Sequence, residues 1–198
     1  MTIRRKYAGF IIAMVMGGCL PTKAQCWFLK TNALSWCMLV ANASVEYQCN
    51  SHWSFALPVS FSAWDYFTST VKFRTFAVQP EVRYWFLGRR EWFAGIHAGC
   101  AYYNYAFGGK WRTQDYDQSS PALGGGLSGG CRLPIGRNGR WSLECTLGVG
   151  AYHLHYSKFY NQTNGLLAYS ERKTYFGLDQ LVVSLVRQLG GKKRRNLR

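Results

Sequence analysis

The sequence predicts an all-β protein, an eight-stranded antiparallel up-and-down transmembrane β-barrel. After residue 24, apolar and polar residues alternate in one segment after another, and no segment keeps a helical period over more than two turns. The connections between these segments alternate between short turns and longer polar loops, as in membrane barrels. Three of the short turns are each followed at once by a tryptophan.

The first 24 residues predict a signal peptide. Arg4, Arg5 and Lys6 precede an apolar run, and small residues follow it at the positions that a signal peptidase reads. The run is shorter than the roughly 20 apolar residues of a membrane-spanning helix. We expect cleavage after Ala24; an alternative is lipidation of Cys19.

The chain is strongly basic, with a formal net charge of +15, and its positive charge is concentrated in a C-terminal tail over residues 190–198. A basic run can indicate nucleic-acid binding. An exported protein, however, meets no nucleic acid in ordinary circumstances. We therefore expect no nucleic-acid partner, and a solvated tail that contacts anionic lipid headgroups or cell wall.

The barrel domain is predicted over residues 25–189. Its strands are expected at about 27–36, 41–49, 53–65, 73–87, 92–106, 122–134, 141–157 and 174–189. The short turns are at 50–52, 88–91 and 136–140, and the longer connections are at 66–72, 107–121 and 158–173. The phase of the last strand stays open, because Arg187 interrupts its apolar row.

The tryptophans after the short turns are Trp53, Trp92 and Trp141. Each opens a strand that leaves the same side of the sheet. Amphipathic rings repeated at one level are typical of the aromatic girdle at a membrane interface. We therefore predict that these three residues are interface anchors at the periplasmic end.

The apolar rows are long, and rows such as those in the strands at 53–65 and 73–87 end in aromatic residues, whereas the opposite rows are rich in Gly, Ala and Ser. This pattern predicts a lipid-facing exterior and a crowded interior, which eight strands fill with side chains. Inside hydrocarbon the first and last strands must pair, so the sheet is expected to close. The charged residues predicted to point inward are Lys30, Glu46, Glu81, Arg83, Arg132 and Glu144.

These interior charges are expected to pair with one another and to form a plug rather than a wide pore, because an unpaired buried charge is costly. A narrow gated ion path is the alternative. His97, between glycines, is expected to be a satisfied interior histidine. Six cysteines follow residue 24; Cys100, Cys131 and Cys145 lie on apolar rows and are expected to be free, although export permits disulfides.

One set of residues suggests catalysis. His155 and Ser157 lie two residues apart, and Glu171 stands near the start of the next strand. A base, a hydroxyl and a carboxylate are what ester hydrolysis requires. The spacing is common, however, and histidines are ordinary residues at a barrel rim. We expect no enzymatic activity, no metal and no cofactor, with lipid A or phospholipid acyl hydrolysis as an alternative.

Several stretches resemble a known family. They are Leu29–Leu34, VQPEVRYWF at Val78–Phe86, WSLE at Trp141–Glu144 with Gly148–Gly150, and Tyr175–Gly177. Together they resemble small outer-membrane β-barrel proteins of unknown function, mainly from Bacteroidetes, of OmpA or OmpX size and often found near genes for surface fimbriae. The resemblance implies an outer-membrane location, contact with outer-membrane lipid and no established activity.

The expected function is therefore structural or binding. Long loops with aromatic residues, such as Trp111, Tyr116, Tyr160 and Tyr169, suggest a surface or fimbrial protein partner. A soluble periplasmic barrel of the lipocalin kind is a further alternative. It requires the apolar rows to point inward.

Overall fold

A computed structural model describes residues 26–66, 68, 70–86, 91–117, 119–136, 139–162 and 164–189. The predicted signal peptide at 1–24 and the basic tail at 190–198 lie outside the described residues. Most of the predicted turn at 88–91 and the middle of the turn at 136–140 also lie outside them.

The described residues form one antiparallel sheet of ten strands in up-and-down order, together with one short helix, α1, at Ala33–Cys37. The strands are β1 Cys26–Asn32, β2 Ala41–Gln48, β3 Trp53–Asp65, β4 Val71–Val78, β5 Glu81–Trp85, β6 Trp92–Phe107, β7 Trp111–Asp115, β8 Ala122–Ile135, β9 Trp141–Tyr160 and β10 Leu167–Leu189. Among these residues, no helix is long and apolar enough to cross a membrane.

The first and last strands pair with each other, so the sheet forms a ring. Trp27 of β1 lies opposite Tyr47 of β2 on one side and Leu189 of β10 on the other. The ring has eight members, in the order β1, β2, β3, β4 with β5, β6, β8, β9 and β10. The predicted all-β, antiparallel, up-and-down architecture is confirmed.

The predicted fourth strand at 73–87 is interrupted between β4 and β5. The interruption falls at Gln79 and Pro80, because proline has no N–H to donate to the sheet. The flanking backbone still bonds to its neighbours: the Gln79 N–H donates to the Pro58 carbonyl at 3.1 Å, and the Ala98 N–H donates to the Pro80 carbonyl at 3.0 Å. The two short strands therefore act as one member of the ring.

Three other predicted boundaries are wrong. The first strand ends at Asn32 instead of residue 36, because the Asn32 side chain accepts the Leu34 N–H and caps α1. The predicted loop at 107–121 contains β7, which pairs with β6 and β9. The last strand begins at Leu167 instead of residue 174, so the β9–β10 hairpin is longer than predicted.

The apolar rows are exposed and the polar rows are buried. On β8, Leu127 is 61% exposed while Arg132 is 5% exposed, and on β9, Leu147 is 55% exposed while Glu144 is 1% exposed. The phase of β10 follows the same rule, with Leu185 exposed and Ser184 buried. We call the buried side of the ring its interior.

Candidate functional site

The ring interior contains a compact cluster of charged side chains. Its members come from five strands and are between 0% and 5% exposed. They are Lys30 of β1, Glu46 of β2, Glu81 and Arg83 of β5, Arg132 of β8 and Glu144 of β9. Three cations thus face three carboxylates, and we call this set the charge cluster.

Glu144 lies at the centre of the charge cluster. Its carboxylate accepts hydrogen bonds from Lys30 Nζ at 2.8 Å, Arg83 Nη1 at 2.7 Å and Arg132 Nε at 2.7 Å. Glu46 accepts a bond from Arg132 Nη2 at 2.5 Å and also contacts Lys30. Each cation therefore bridges at least two strands of the ring.

The third carboxylate, that of Glu81, extends the charge cluster across the ring. It accepts a hydrogen bond from Arg83 Nη2 at 2.6 Å and another from the Ser128 hydroxyl. Because Arg83 also bonds to Glu144, the cluster is a connected network and not a set of separate pairs. Connected buried networks hold their members in fixed geometry when every charge has a partner.

Aromatic rings close one side of the charge cluster. The Arg132 guanidinium lies 4.5 Å from the ring centroid of Trp85 and 4.7 Å from that of Phe28, and the Arg83 guanidinium lies 4.2 Å from that of Phe93. We call Phe28, Trp85 and Phe93 the aromatic floor; it lies toward the end of the ring where β3, β6 and β9 begin. The aromatic floor and the charge cluster thus lie next to each other in the interior.

A second polar layer lies on the other side of the charge cluster. His97 Nε2 lies 2.5 Å from Asp179 Oδ2, and Gln79 Nε2 donates to the Tyr152 hydroxyl at 3.0 Å. A cavity of about 260 Å³ is lined by Lys30 and Glu144 of the charge cluster and by Asp179, and its walls extend to Asn32, Ser35 and Asn42 at the end of the ring where α1 lies. The predicted interior position of His97 agrees with this geometry.

Asp179 was not predicted as an interior residue. A register shift between Leu178 and Gln180 places it there, and sequence alternation cannot reveal such a shift. The signal that could have found it is the pair of interior glycines opposite. A Cβ at Gly148 or Gly150 would lie 3.1 Å or 2.6 Å from the Asp179 carboxylate oxygens.

The predicted hydrolase residues have different partners. The Ser157 hydroxyl lies 2.8 Å from that of Ser170, and Glu171 accepts the hydroxyl of the neighbouring Tyr156 at 2.6 Å. The His155 ring stacks on Tyr116 with a centroid distance of 4.0 Å. Each of the three side chains therefore has a partner outside the predicted set of base, hydroxyl and carboxylate.

The hydrogen bond from Tyr156 to Glu171 raises the pKa of Tyr156 to about 12. Partial burial and the positive charge of Arg172 lower the pKa of His155. In the part of the chain that the structure describes, no group of three His, Cys, Asp or Glu side chains could hold a metal ion.

The long-loop end of the interior holds a cavity of about 350 Å³. Its walls include four tyrosines and two lysines: Tyr103, Tyr105, Tyr156, Tyr175, Lys158 and Lys173. We call this cavity the tyrosine cup. Sequence reasoning missed it, because it requires the unpredicted β7 and the extension of β9 and β10.

The three predicted anchor tryptophans lie on the exposed face at one end of the ring. Trp53, Trp92 and Trp141 are 48%, 62% and 41% exposed. A fourth, Trp27, lies at the same end and is 51% exposed. Trp27 was not predicted as an anchor, because it lies in the first strand and no turn between two strands precedes it. The four residues are called the tryptophan belt below.

The fold and the interior define a class of protein: an all-β antiparallel ring with an apolar exposed face and a buried cluster of charges in its interior. Residues 10–189 match the family described as protein of unknown function, DUF3575, and the chain belongs to this family. No curated protein matches the chain. No solved structure matches it.

Proposed function

We propose that this protein is an eight-stranded outer-membrane β-barrel that conducts no ions and serves as a binding platform at the cell surface. The observation that carries the proposal is the inverted distribution of polarity. Leu127, Leu147 and Phe176 are 61%, 55% and 76% exposed, while the charge cluster is buried. A sheet with this arrangement suits hydrocarbon outside and a packed polar interior.

The height of the apolar face supports the proposal. On β3 it extends over ten residue steps, from Trp53 to Ala63, and ends at the exposed Asp65–Arg74 ion pair. At about 3.3 Å per residue, ten residues span about 33 Å along the strand. With the usual strand tilt of roughly 40°, this gives a band about 25 Å tall, the height found in membrane barrels.

The edges of the band support the same conclusion. At one edge the tryptophan belt combines with tyrosines, since Trp27 lies 4.8 Å from Tyr47 and Trp53 lies 5.1 Å from Tyr84 between ring centroids. Arg187 reaches over the Trp141 ring at 5.4 Å. Amphipathic rings and long cationic side chains are typical of the lipid headgroup level.

The blocked interior argues against a pore. The aromatic floor closes one side of the charge cluster, and the cations of the cluster are bonded to its carboxylates. Water or ions would have to displace these contacts to pass. The alternative of a narrow gated ion path is therefore less well supported than a plug.

The other two alternatives are also weaker. A soluble lipocalin-like barrel requires its apolar rows in the interior, where this ring carries charges. An acyl hydrolase requires His155 next to Ser157, but these side chains contact Tyr116 and Ser170. Outer-membrane lipid remains the proposed surroundings of the barrel, and a surface or fimbrial protein remains a proposed partner.

The membrane proposal is tested by cell fractionation and by gel migration. We expect the protein in outer-membrane fractions, and we expect the unheated protein in detergent to migrate differently from the boiled protein. Leu147→Arg should reduce the folded fraction, because an arginine near the middle of a bilayer costs about 2–4 kcal/mol.

The matched control is Thr174→Arg, at an exposed position beyond the apolar band on the neighbouring strand. It should leave assembly unchanged. Recovery of the wild-type protein wholly in the soluble fraction would refute the membrane proposal. Equal assembly of Leu147→Arg and wild type would refute the assignment of the lipid-facing side.

A further inference from the structure

We propose that the tyrosine cup binds a sugar that carries a carboxylate or phosphate group. The inference deepens the surface-binding part of the proposed function and rests on it. The cavity volume, about 350 Å³, is within the usual range for small-molecule sites.

The cup is part of the ring interior. Tyr103 and Tyr105 alternate in phase with His97 on β6, and Tyr156 and Lys158 alternate in phase with Glu144 on β9. Tyr175 is 40% exposed and Lys173 is also exposed, so the cup is open to solvent at the long-loop end. A ligand could enter from outside without crossing the charge cluster.

Aromatic side chains form one wall of the cup. The rings of Tyr103 and Tyr105, which both line the cavity, lie 6.1 Å apart between centroids. Such a pair presents flat apolar faces that also carry hydroxyl groups. A sugar matches both properties, because its ring has an apolar C–H face and polar hydroxyls at its edge.

Two lysines give the cup its preference for an anion. Lys158 and Lys173 both line the cavity. No carboxylate is among the described residues that line the cavity, and the nearby Glu171 accepts the Tyr156 hydroxyl. Positive charge therefore exceeds negative charge at the cavity wall.

One polar group in the cup lacks a partner. In the described part of the chain, the buried hydroxyl of Tyr103 has no hydrogen-bond partner. It is one of ten buried side-chain atoms without a partner among the described residues, and leaving such a group unpaired costs about 1–3 kcal/mol. A ligand hydroxyl or anionic oxygen in the cup would satisfy it.

The test uses the full chain, folded in detergent micelles, and measures saturation transfer from protein to ligand by NMR. The probes are glucuronate, glucose 6-phosphate, neutral glucose and inorganic phosphate. We expect transfer to glucuronate, to glucose 6-phosphate or to both, and clearly weaker transfer to neutral glucose and to phosphate alone. Absence of transfer to both anionic sugars overturns the proposal, as does equal transfer to glucose.

Three variants locate the binding. Lys158→Ala and Lys173→Ala should each weaken binding of the anionic sugar roughly tenfold, the effect of losing one charged hydrogen bond. The control is Lys110→Ala, because Lys110 lies over Trp111 and Tyr160 at the same end but does not line the cup. An equal loss in all variants overturns the assignment to the cup.

Tyr103→Phe separates binding from folding. Because its hydroxyl has no partner in the described protein, its removal should leave the unfolding temperature unchanged or raise it while weakening sugar binding. Unchanged binding in this variant would remove Tyr103 from the site. Heat-dependent gel migration is measured on each sample, so a folded membrane protein that binds no sugar is distinguished from failure of the membrane proposal.

Discussion

Arg132 of the charge cluster makes two kinds of contact, ion pairs and stacking on aromatic rings. It bonds to Glu46 and Glu144, and its guanidinium lies against Trp85 and Phe28. A planar guanidinium can do both at once, because its edges donate hydrogen bonds while its faces stack. Lysine has no such faces. This residue therefore connects the charge cluster to the aromatic floor.

Removal of Arg132 should destabilise the protein strongly. In Arg132→Ala two buried carboxylates lose a partner, and breaking a buried pair costs about 3–5 kcal/mol. Thermal unfolding in detergent, followed by circular dichroism and by gel migration, should give a clearly lower midpoint than wild type.

The control for this prediction is Arg74→Ala. The Arg74–Asp65 pair is solvent-exposed, with side chains 49% and 37% exposed, so its loss should change stability by about 1 kcal/mol or less. Equal shifts in the two variants would mean that the interior network is not what stabilises the ring.

At the scale of single elements, β8 and β9 are held close together by glycines. A Cβ at Gly126 would lie 2.1 Å from the Val149 carbonyl oxygen of β9, whereas a Cβ at Gly129 would have no heavy atom nearer than 3.8 Å. The two positions thus differ in steric demand on the same strand. Close backbone approach is a common reason for glycine inside a strand.

Gly126→Ala is therefore expected to disrupt the β8–β9 pairing. Overpacking of this kind costs about 1–3 kcal/mol, and the unfolding midpoint should fall. Gly129→Ala on the same strand should change the midpoint little, since surface substitutions usually fall within about 0.5 kcal/mol. A similar loss at both positions would show that backbone flexibility, and not space, decides the effect.

The elements also show what a sequence can and cannot predict. Alternation predicted the bounds of β2 and β3 closely. When one face of a strand is apolar, the sequence itself shows which side chains lie on each side of the sheet. It missed α1, since Asn32 acts through a local side-chain bond, and it missed the shift around Asp179, since a bulge breaks the alternation. The tyrosine cup depends on pairing between distant segments, which no local pattern contains.

At the scale of the whole molecule, the interior is arranged in layers. From the tryptophan belt upward, the aromatic floor is followed by the charge cluster, the polar layer of His97 and Asp179, and the tyrosine cup. Tyr152 belongs to the polar layer and is tightly packed there: a Cβ at Gly99 or Gly124 would lie 2.3 Å or 2.7 Å from its side chain. The cup is thus separated from the charge cluster.

This layering predicts that the purified protein forms no steady channel in a planar lipid bilayer. The expected trace is flat at moderate voltage and remains flat when the sugar probes are added, because the cup does not connect to the other side. The matched measurement uses a known porin in the same bilayer to confirm that channels are detectable. Stable conductance steps from the wild-type protein would refute the plug.

The origin of the charge cluster in five strands has a consequence for assembly. Lys30 and Glu144 are 114 residues apart in the chain, and Lys30 occupies the strand that joins the two ends of the ring. Before that joint forms, Lys30 and Glu144 are not held together, whereas Arg132 and Glu144 can already pair across the neighbouring strands β8 and β9. In the proposed membrane barrel, each charge left without a partner would oppose transfer into lipid by several kcal/mol. We therefore expect insertion of the proposed barrel to be coupled to closure of the ring, so that complete rings are favoured over partly inserted chains.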